Sequence, residues 1–260
     1  MSKKPLILVT NDDGITAPGI RALIAIMTTI GDVVVVAPDS PQSAMGHAIT
    51  INATLHIEKV IIDNGNQEEY SCSGTPADCV KIGVKQILNR PPDLCVSGIN
   101  HGSNSSINVI YSGTMSAAIE AGIKGIPAIG FSLCDYNWNA NFEHCKSYIK
   151  TITENVLKHG LTEGTVLNVN FPNLTKNNIK GIKICRQAQA NWDEEFDKRQ
   201  NPYGKDYYWL TGKFVNLDQH KEDTDEWALE NGYVSVVPVQ FDLTAHHSIQ
   251  ELNTWDFDKK

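Results

Sequence analysis

Near the start of the chain, two short apolar runs flank a segment in which apolar residues recur at the spacing of a helix. Leu6–Thr10 is an apolar run with β-branched members that ends at the polar turn Asn11–Gly14, as a buried parallel strand does. Apolar residues then recur at helical spacing from Ile20 to Met27, and Val33–Ala37 is a second apolar run. This segment therefore predicts a β-α-β unit, whose crossover is right-handed.

The same alternation continues to about residue 172. The β-branched segment Ile49–Ile62, followed by the turn sequence Asp63–Gly65, predicts a hairpin. The other predicted elements are helices from Thr75 to about Asn89, Met115–Ile123 and Phe142–His159, and strands at Asp93–Ser97, Ala128–Ser132 and Val166–Asn170. This order predicts an α/β fold, a doubly wound, Rossmann-like and mostly parallel sheet with helices on both faces.

After about residue 172 the pattern changes. Strands are predicted at Ile179–Arg186, Tyr207–Leu210 and Tyr233–Val239, whereas Gln187–Asp206 is polar with little periodicity. Aromatic residues gather here with few aliphatic ones, which is typical of an interface, so we predict a β-hairpin extension that packs on a second copy of the chain. The alternative is a partly disordered insertion. The chain is predicted to be one domain, residues 1–260, with a core of about 1–172 and an extension of about 173–260.

Composition and charge exclude several classes of protein. The 260 residues are 41% hydrophobic, which is enough for a substantial core, and the net charge of -8 argues against a nucleic-acid polymer as partner. No apolar run approaches the length of a membrane span. The six cysteines include no C-x-x-C pair, and no signal-peptide pattern opens the sequence, so we expect reduced thiols in a cytoplasmic protein.

Three polar loops follow predicted strands, at what would be the carboxyl edge of the sheet. They are Asn11–Gly14 with Asp12 and Asp13, Asp39–His47 with Ser40 and Ser43, and Gly98–Asn104 with Asn100 and Asn104. Adjacent carboxylates repel each other, and a divalent cation removes that repulsion. An all-oxygen set predicts one hard metal ion, Mg²⁺ or Mn²⁺. The alternative for Asn11–Gly14 is a simple polar turn.

A fourth polar segment, Ser112-Gly113-Thr114, opens a predicted helix. The free N–H groups of its first turn, with the two hydroxyls, predict an anion site. A metal beside an anion site suggests phosphate-ester chemistry. The chain contains no G-x-x-x-x-G-K-[ST], no G-x-G-x-x-G after a strand and no G-x-S-x-G, which argues against a P-loop ATPase, a dinucleotide-dependent dehydrogenase and an α/β-hydrolase.

Five spaced motifs in the segment Leu6–Ser132 resemble the SurE family of stationary-phase survival nucleotidases. In order they are TNDDG-x-x-APGI, APD-x-x-x-S, SGTPADCV, VSGIN-x-G-x-N and YSGT. The resemblance implies a metal-dependent 5′-nucleotidase that removes phosphate from nucleoside 5′- and 3′-monophosphates, with short polyphosphate as a further substrate. It also implies a dimer or tetramer formed through the C-terminal hairpin. One departure is His101-Gly102-Ser103, which puts the shape of that loop and the substrate preference in question.

The resemblance also implies roles for individual residues. One Mg²⁺ or Mn²⁺ ion is expected on Asp12, Asp13, Ser43 and Asn100, and phosphate on Asn104, Ser112, Gly113 and Thr114. In the expected reaction, Asp12 or Asp13 accepts a proton from the attacking water. Asn11 either forms a hydrogen bond to the transition state or holds the turn. Two other hypotheses remain: a metal-dependent transferase acting on a phosphate-containing substrate, and a non-catalytic nucleotide-binding or assembly protein.

Overall fold

The structure is a computed structural model that describes residues 4–257. Its strands, in chain order, are β1 (Leu6–Thr10), β2 (Asp32–Pro38), β3 (Ile57–Val60), β4 (Glu68–Cys72), β5 (Leu94–His101), β6 (Ala128–Leu133), β7 (Thr165–Phe171), β8 (Gly181–Ile184), β9 (Ala190–Gln200), β10 (Asp206–Asn216) and β11 (Tyr233–Gln240). Within this range nine strands form one sheet, in the order β3-β4-β2-β1-β5-β6-β7-β11-β8, and β9 pairs with β10 alone.

The helices are α1 (Pro18–Met27), α2 (Pro76–Ile82), α3 (Gly113–Ile123), α4 (Lys146–His159), α5 (Asp225–Glu230) and α6 (His246–Leu252). The predicted helix start at Thr75 is confirmed, because Thr75 and Asp78 form a reciprocal capping box. This helix continues beyond α2 as a π-helical turn to Ile87. None of the helices within residues 4–257 is long and apolar enough to cross a membrane.

The six central strands of the sheet, from β4 to β7, run parallel to their neighbours. The edge strand β3 is antiparallel to β4, and β11 is antiparallel to β7. The strand order reverses between β1 and β5, because the chain moves outward in one direction from β1 and in the other from β5. Ligands of open α/β sheets bind outside the carboxyl ends of the strands at such a point.

Both faces of the sheet are covered by helices, so the predicted doubly wound α/β class is confirmed. On one face, β1 packs through Ile7 and Val9 against the buried sides of α1 and α4. On the other face, Leu8 packs with α2 and α3. Because successive side chains of a strand point to opposite faces, one buried run fills both cores.

Both predicted hairpins are present, but each differs in detail from the sequence prediction. The polar segment Gln187–Asp206 is mostly strand β9, because each of its residues from Ala190 to Gln200 pairs with one on β10. The predicted hairpin at Asp63–Gly65 is confirmed, because β3 and β4 pair antiparallel on either side of this turn, although only Ile57–Val60 of the segment Ile49–Ile62 is a strand. Beyond residue 172, β8 and β11 join the main sheet, and β9 and β10 form a separate antiparallel ribbon whose side chains are mostly exposed.

Candidate active site

The carboxyl ends of β1 and β5 lie side by side where the strand order reverses. Thr10 at the end of β1 pairs with Ser97 of β5, so the turn after β1 emerges beside the end of β5. The loop after β2 reaches the same place, because the N–H of Gln42 donates to the carbonyl oxygen of Asp12 at 2.7 Å. The three polar loops therefore meet at one edge, as the parallel sheet predicts.

A cleft of about 180 Å³ lies between these loops. Five of the predicted site residues line it: Asp12, Ser43, Asn100, Asn104 and Ser112. The other four lie beside it, each in contact with a lining residue or with the turn after β1. The structure thus brings together, at one place, residues from four segments that are far apart in the sequence.

Asp12 is buried, with 4% of its surface exposed. Burial, and then repulsion from the Asp13 carboxylate, raises the pKa of Asp12 to about 6, although hydrogen bonds from the hydroxyl and backbone N–H of Thr114 act in the opposite direction. A carboxylate in these surroundings gains more from a nearby cation than an exposed one does. The surroundings of Asp12 therefore suit a bound cation at this turn.

The side chain of Asp13 is held by His101. The Nδ1–H of His101 donates to Oδ2 of Asp13 at 3.1 Å, and the His101 backbone N–H donates to the same oxygen at 3.3 Å. The Nε2 atom of His101 is buried and has no hydrogen-bond partner in the part of the chain that the structure describes. His101 therefore fixes Oδ2 of Asp13, and Oδ1 takes no part in this contact.

Asn100 and Asn104 are fixed in different ways. The side-chain amide of Asn100 donates to the carbonyl oxygen of Gly102 at 2.8 Å, so its own carbonyl oxygen is the side-chain atom left to accept or to bind a cation. Asn104 donates from its side-chain amide to the hydroxyl of Ser132 at 2.8 Å, and its backbone is bonded to Asn168 and Asn170 of β7. This buried network holds the loop rigidly above the sheet.

Ser112 caps helix α3, since its hydroxyl oxygen accepts the N–H of Met115 at 3.0 Å. Gly113, the first helical residue, packs directly against Asp12: a Cβ atom there would lie 2.6 Å from the Cβ of Asp12. The hydroxyl of Thr114 donates to Oδ1 of Asp12. The N-terminus of α3 is thus in direct contact with the carboxylate turn, and a helix N-terminus of this kind can bind an anion.

Asn11 holds the turn after β1 and also has an unused acceptor. Its side-chain amide donates to the carbonyl oxygen of Gly14 at 2.9 Å. Its Oδ1 atom is buried and lacks a hydrogen-bond partner among the residues described. The turn-holding role of Asn11 is therefore visible, and the free oxygen leaves a second interaction available.

The side chains around the cleft suit a hard divalent cation. They supply the carboxylates of Asp12 and Asp13, the hydroxyl of Ser43 and the amide oxygen of Asn100, all of them oxygen ligands. Residues 4–257 contain no group of three or more His, Cys, Asp and Glu side chains that could hold a metal ion. A set with two carboxylates and neutral oxygens leaves positions for water and substrate, as Mg²⁺ sites do.

The loop that carries Ser43 is tied to helix α3 through a buried carboxylate. Nε2 of His47 lies 3.1 Å from Oε2 of Glu120, whose other oxygen lies 2.7 Å from Nζ of Lys81 and 3.1 Å from Nζ of Lys124. Burial alone would raise the pKa of Glu120, but the hydrogen bonds from these three residues outweigh it and lower the pKa to about 2. The ionised form of Glu120 therefore stabilises the folded chain.

This ion cluster predicts a pH-dependent loss of stability. Because the pKa of Glu120 falls on folding from its ordinary value of 4.5 to about 2, the stabilisation is complete above about pH 5 and disappears as the pH falls toward 2. Urea unfolding at pH 6 and pH 3 should show Glu120→Gln less stable than the wild type at pH 6, with the gap narrowing at pH 3. Equal stabilities at pH 6 would contradict this role.

Sequence reasoning missed three groups around the cleft. The contact of His101 with Asp13 has no signal in residue spacing, since 88 positions separate the two. Asn168 and Asn170 support Asn104 from β7; the segment Leu167–Asn170 resembles the family, but neither that resemblance nor the alternation of the two residues indicated this contact. The exposed ring of Tyr136 lines the cleft from the loop after β6, and nothing in the motifs points to it.

Comparison with known proteins agrees with this site. A model of the family described as "Survival protein SurE" matches residues 7–194. A Flavobacterium psychrophilum protein named 5′-nucleotidase SurE is 72% identical over 98% of this chain and 99% of its own, and a Flavobacterium johnsoniae protein of the same name is 73% identical over 97% of each. The crystal structure of the SurE protein from Aquifex aeolicus superposes with a TM-score of 0.83 and 42% identity, over 96% of this chain and 99% of that one.

The fold and the cleft define a doubly wound α/β protein with an oxygen-lined site at its topological switch point. The family match covers well over half of the chain, and the relatives align along nearly all of it. The chain belongs to the SurE family. The resemblance inferred from the five motifs is therefore confirmed.

Proposed function

We propose that the protein is a metal-dependent phosphomonoester hydrolase that removes phosphate from nucleoside 5′- and 3′-monophosphates, that is, a 5′-nucleotidase. The observation that carries this proposal is the shared cleft, in which Asp12, Ser43 and Asn100 meet Ser112 at the N-terminus of α3. Cation ligands beside an anion site suit a phosphate ester. The names of the close relatives, 5′-nucleotidase SurE, support the same activity.

One divalent ion, Mg²⁺ or Mn²⁺, would be held by Asp12, Asp13, Ser43 and Asn100. When bound, such an ion polarises the phosphoryl group and makes a water molecule more acidic. The chain prepares this site by fixing the Asp13 carboxylate through His101 and the Asn100 amide through Gly102. Fixed ligands lower the cost of ordering the site when the ion arrives.

The remaining residues would bind the phosphate and accept the proton that the attacking water loses. Ser112, Gly113, Thr114 and Asn104 would contact the phosphate oxygens, with the N–H groups of the first turn of α3 stabilising the charge that develops there. Asp12 lines the cleft whereas Asp13 is bonded to His101, which favours Asp12 as the acceptor of the proton from the attacking water. The free Oδ1 of Asn11 would accept a hydrogen bond from that water.

A phosphate-release panel tests this function. AMP, GMP, nucleoside 3′-monophosphates and short polyphosphate are incubated with Mg²⁺ or Mn²⁺, and free phosphate is measured without any added acceptor. Release from the monophosphates is the expected result. Turnover that requires an acceptor alcohol would identify a transferase instead, and AMP binding by calorimetry without any release would identify a binding protein.

We also propose that the chain forms a dimer, or a tetramer built from dimers, through the β9–β10 ribbon. An isolated two-stranded hairpin is marginally stable in water, yet this ribbon has eleven paired residues in each strand. It carries exposed apolar side chains, among them the directly opposed pair Phe196 and Leu210, with 66% and 64% of their surfaces exposed. Covering these side chains with a second copy would stabilise the ribbon.

The ribbon predicts a clear effect on assembly. Phe196→Asp places a charge in the proposed interface and should shift the protein to monomers in light scattering coupled to gel filtration. Ile61→Asp is the matched control, because Ile61 is exposed in the turn between β3 and β4 and should leave the assembly unchanged. A wild type that is monomeric at micromolar concentration, or a Phe196→Asp variant that keeps the assembly, would contradict the proposal.

We propose a cytoplasmic location and a single folding domain. All six cysteines are free thiols and five of them are buried, which suits a reducing compartment. The ribbon begins beside the site, because the N–H of Ala188 and the N–H of Ser106 both donate to the buried carboxylate of Asp225. These contacts support one cooperative unit rather than a core with an independent extension.

A further inference from the structure

Tyr136 is an exposed aromatic residue at the rim of the cleft. It follows strand β6, lines the cleft and has 76% of its surface exposed, so its ring adds little to the core. The ring lies directly on the backbone at Gly102, where a Cβ atom would come within 2.4 Å of Cε1 of Tyr136. Gly102 lies between Asn100 and Asn104, so the ring stands over the loop that carries both of them.

The segment that presents Tyr136 is ordered by its own contacts. Trp138 stacks on His101 with ring centroids 5.4 Å apart and planes inclined by 13°, and Phe142 meets the same imidazole edge-on at 5.2 Å. The backbone N–H of Asn137 donates to the side chain of Asp135 at 2.9 Å. Because the residues on both sides of Tyr136 are held in place, less conformational entropy is lost when a ligand binds to its ring.

The size of the cleft indicates where the parts of a nucleotide lie. Pockets that enclose a drug-sized ligand measure about 300–1,000 Å³, whereas this cleft measures about 180 Å³. If the phosphate binds at Ser112 and the sugar occupies the cleft, as the proposed function requires, a cleft of this size leaves the base at the rim. Every nucleobase presents a π-face that stacks on an aromatic side chain without regard to its hydrogen-bonding edge.

We propose that Tyr136 is the platform on which the substrate base stacks. This inference rests on the proposed function and makes Tyr136 a specificity-determining residue: it favours phosphate esters that carry a base over phosphorylated sugars that lack one. Tyr111 also lines the cleft, but it immediately precedes Ser112 and belongs to the phosphate end. Stacking that is equally strong in the ground state and the transition state lowers KM and leaves kcat unchanged.

The test compares AMP with ribose 5-phosphate, which has the same phosphate and sugar and no base. In Tyr136→Ala the ratio of kcat/KM for AMP to that for ribose 5-phosphate should fall about 10-fold, through a higher KM for AMP. Tyr136→Phe keeps the ring and should keep the wild-type ratio. An equal loss for both substrates, an unchanged ratio, or a fall in Tyr111→Ala but not in Tyr136→Ala would overturn the proposal.

Calorimetric binding separates this proposal from the proposed function. AMP and ribose 5-phosphate are titrated into the metal-stripped wild type and metal-stripped Tyr136→Ala, in which no hydrolysis of the ligand is expected. Tighter binding of AMP that is lost in Tyr136→Ala supports the stacking role, even if no phosphate were released. If the variant binds AMP as tightly as the wild type does, the stacking role is wrong, whatever the activity of the protein.

Discussion

Replacing Asp12 by asparagine is expected to abolish phosphate release from AMP, with kcat falling at least about 1,000-fold. The substitution keeps the shape of the side chain but removes the charge that a cation needs, and the cation supplies several kcal/mol of transition-state stabilisation. The stability of the fold should not decrease, because a neutral side chain at this buried position is not repelled by the Asp13 carboxylate. Kinetic assays and thermal unfolding without metal measure the two effects.

Thermal unfolding with metal gives a second, activity-independent measurement of the same variant. Saturating Mn²⁺ should raise the unfolding temperature of the wild type, since a ligand that binds only the folded state stabilises it, and should leave that of Asp12→Asn almost unchanged. Asp39→Asn is the matched control, because Asp39 lies on the loop after β2 and is exposed. If Asp12→Asn retains more than a tenth of the wild-type kcat, Asp12 is not essential to the chemistry.

Replacing Gly113 by alanine is expected to lower kcat/KM for AMP by about 100-fold. The added Cβ would lie 2.6 Å from the Cβ of Asp12 and 2.8 Å from its Oδ2, so either the carboxylate or the start of α3 must move. A displacement of about 1 Å at a reacting centre costs on the order of 100-fold in rate. Alanine is the better helix former, so the loss does not come from a weaker helix.

Gly83→Ala is the control for this substitution. Gly83 also has a helical backbone, where α2 passes into its π-helical turn, and a Cβ there would meet no atom closer than 3.3 Å. Its activity should stay within about twofold of the wild type, a difference of less than about 0.5 kcal/mol. If Gly113→Ala behaves in the same way, the contact between α3 and Asp12 is not needed for catalysis.

Much of the site could be predicted because it depends on a parallel sheet. Residues that follow the carboxyl ends of neighbouring parallel strands must meet, and the helix start at Ser112 carries its own capping signal. The position of Asp12 beside Asn100 therefore follows from strand order. The choice of Ser43 over Ser40 came from the family resemblance, and the lining of the cleft by Ser43 agrees with it.

The missed features depend on contacts that spacing does not encode. His101 reaches Asp13 because a strand end and a turn are adjacent in space, and Tyr136 reaches Gly102 across two neighbouring strand ends. Strand β9 was missed because its residues face solvent on both sides, so its hydrophobic pattern has no period of two. Long-range pairing with β10, rather than local sequence, makes it a strand.

Phosphate release from AMP by metal-stripped protein is the decisive measurement. After exhaustive chelation and removal of the chelator, the wild type should release no phosphate above the level of Asp12→Asn. Addition of Mg²⁺ or Mn²⁺ should restore release in the wild type alone. Full activity of the stripped wild-type protein would contradict the proposal that a cation, held by the acidic turn after β1, is required for hydrolysis.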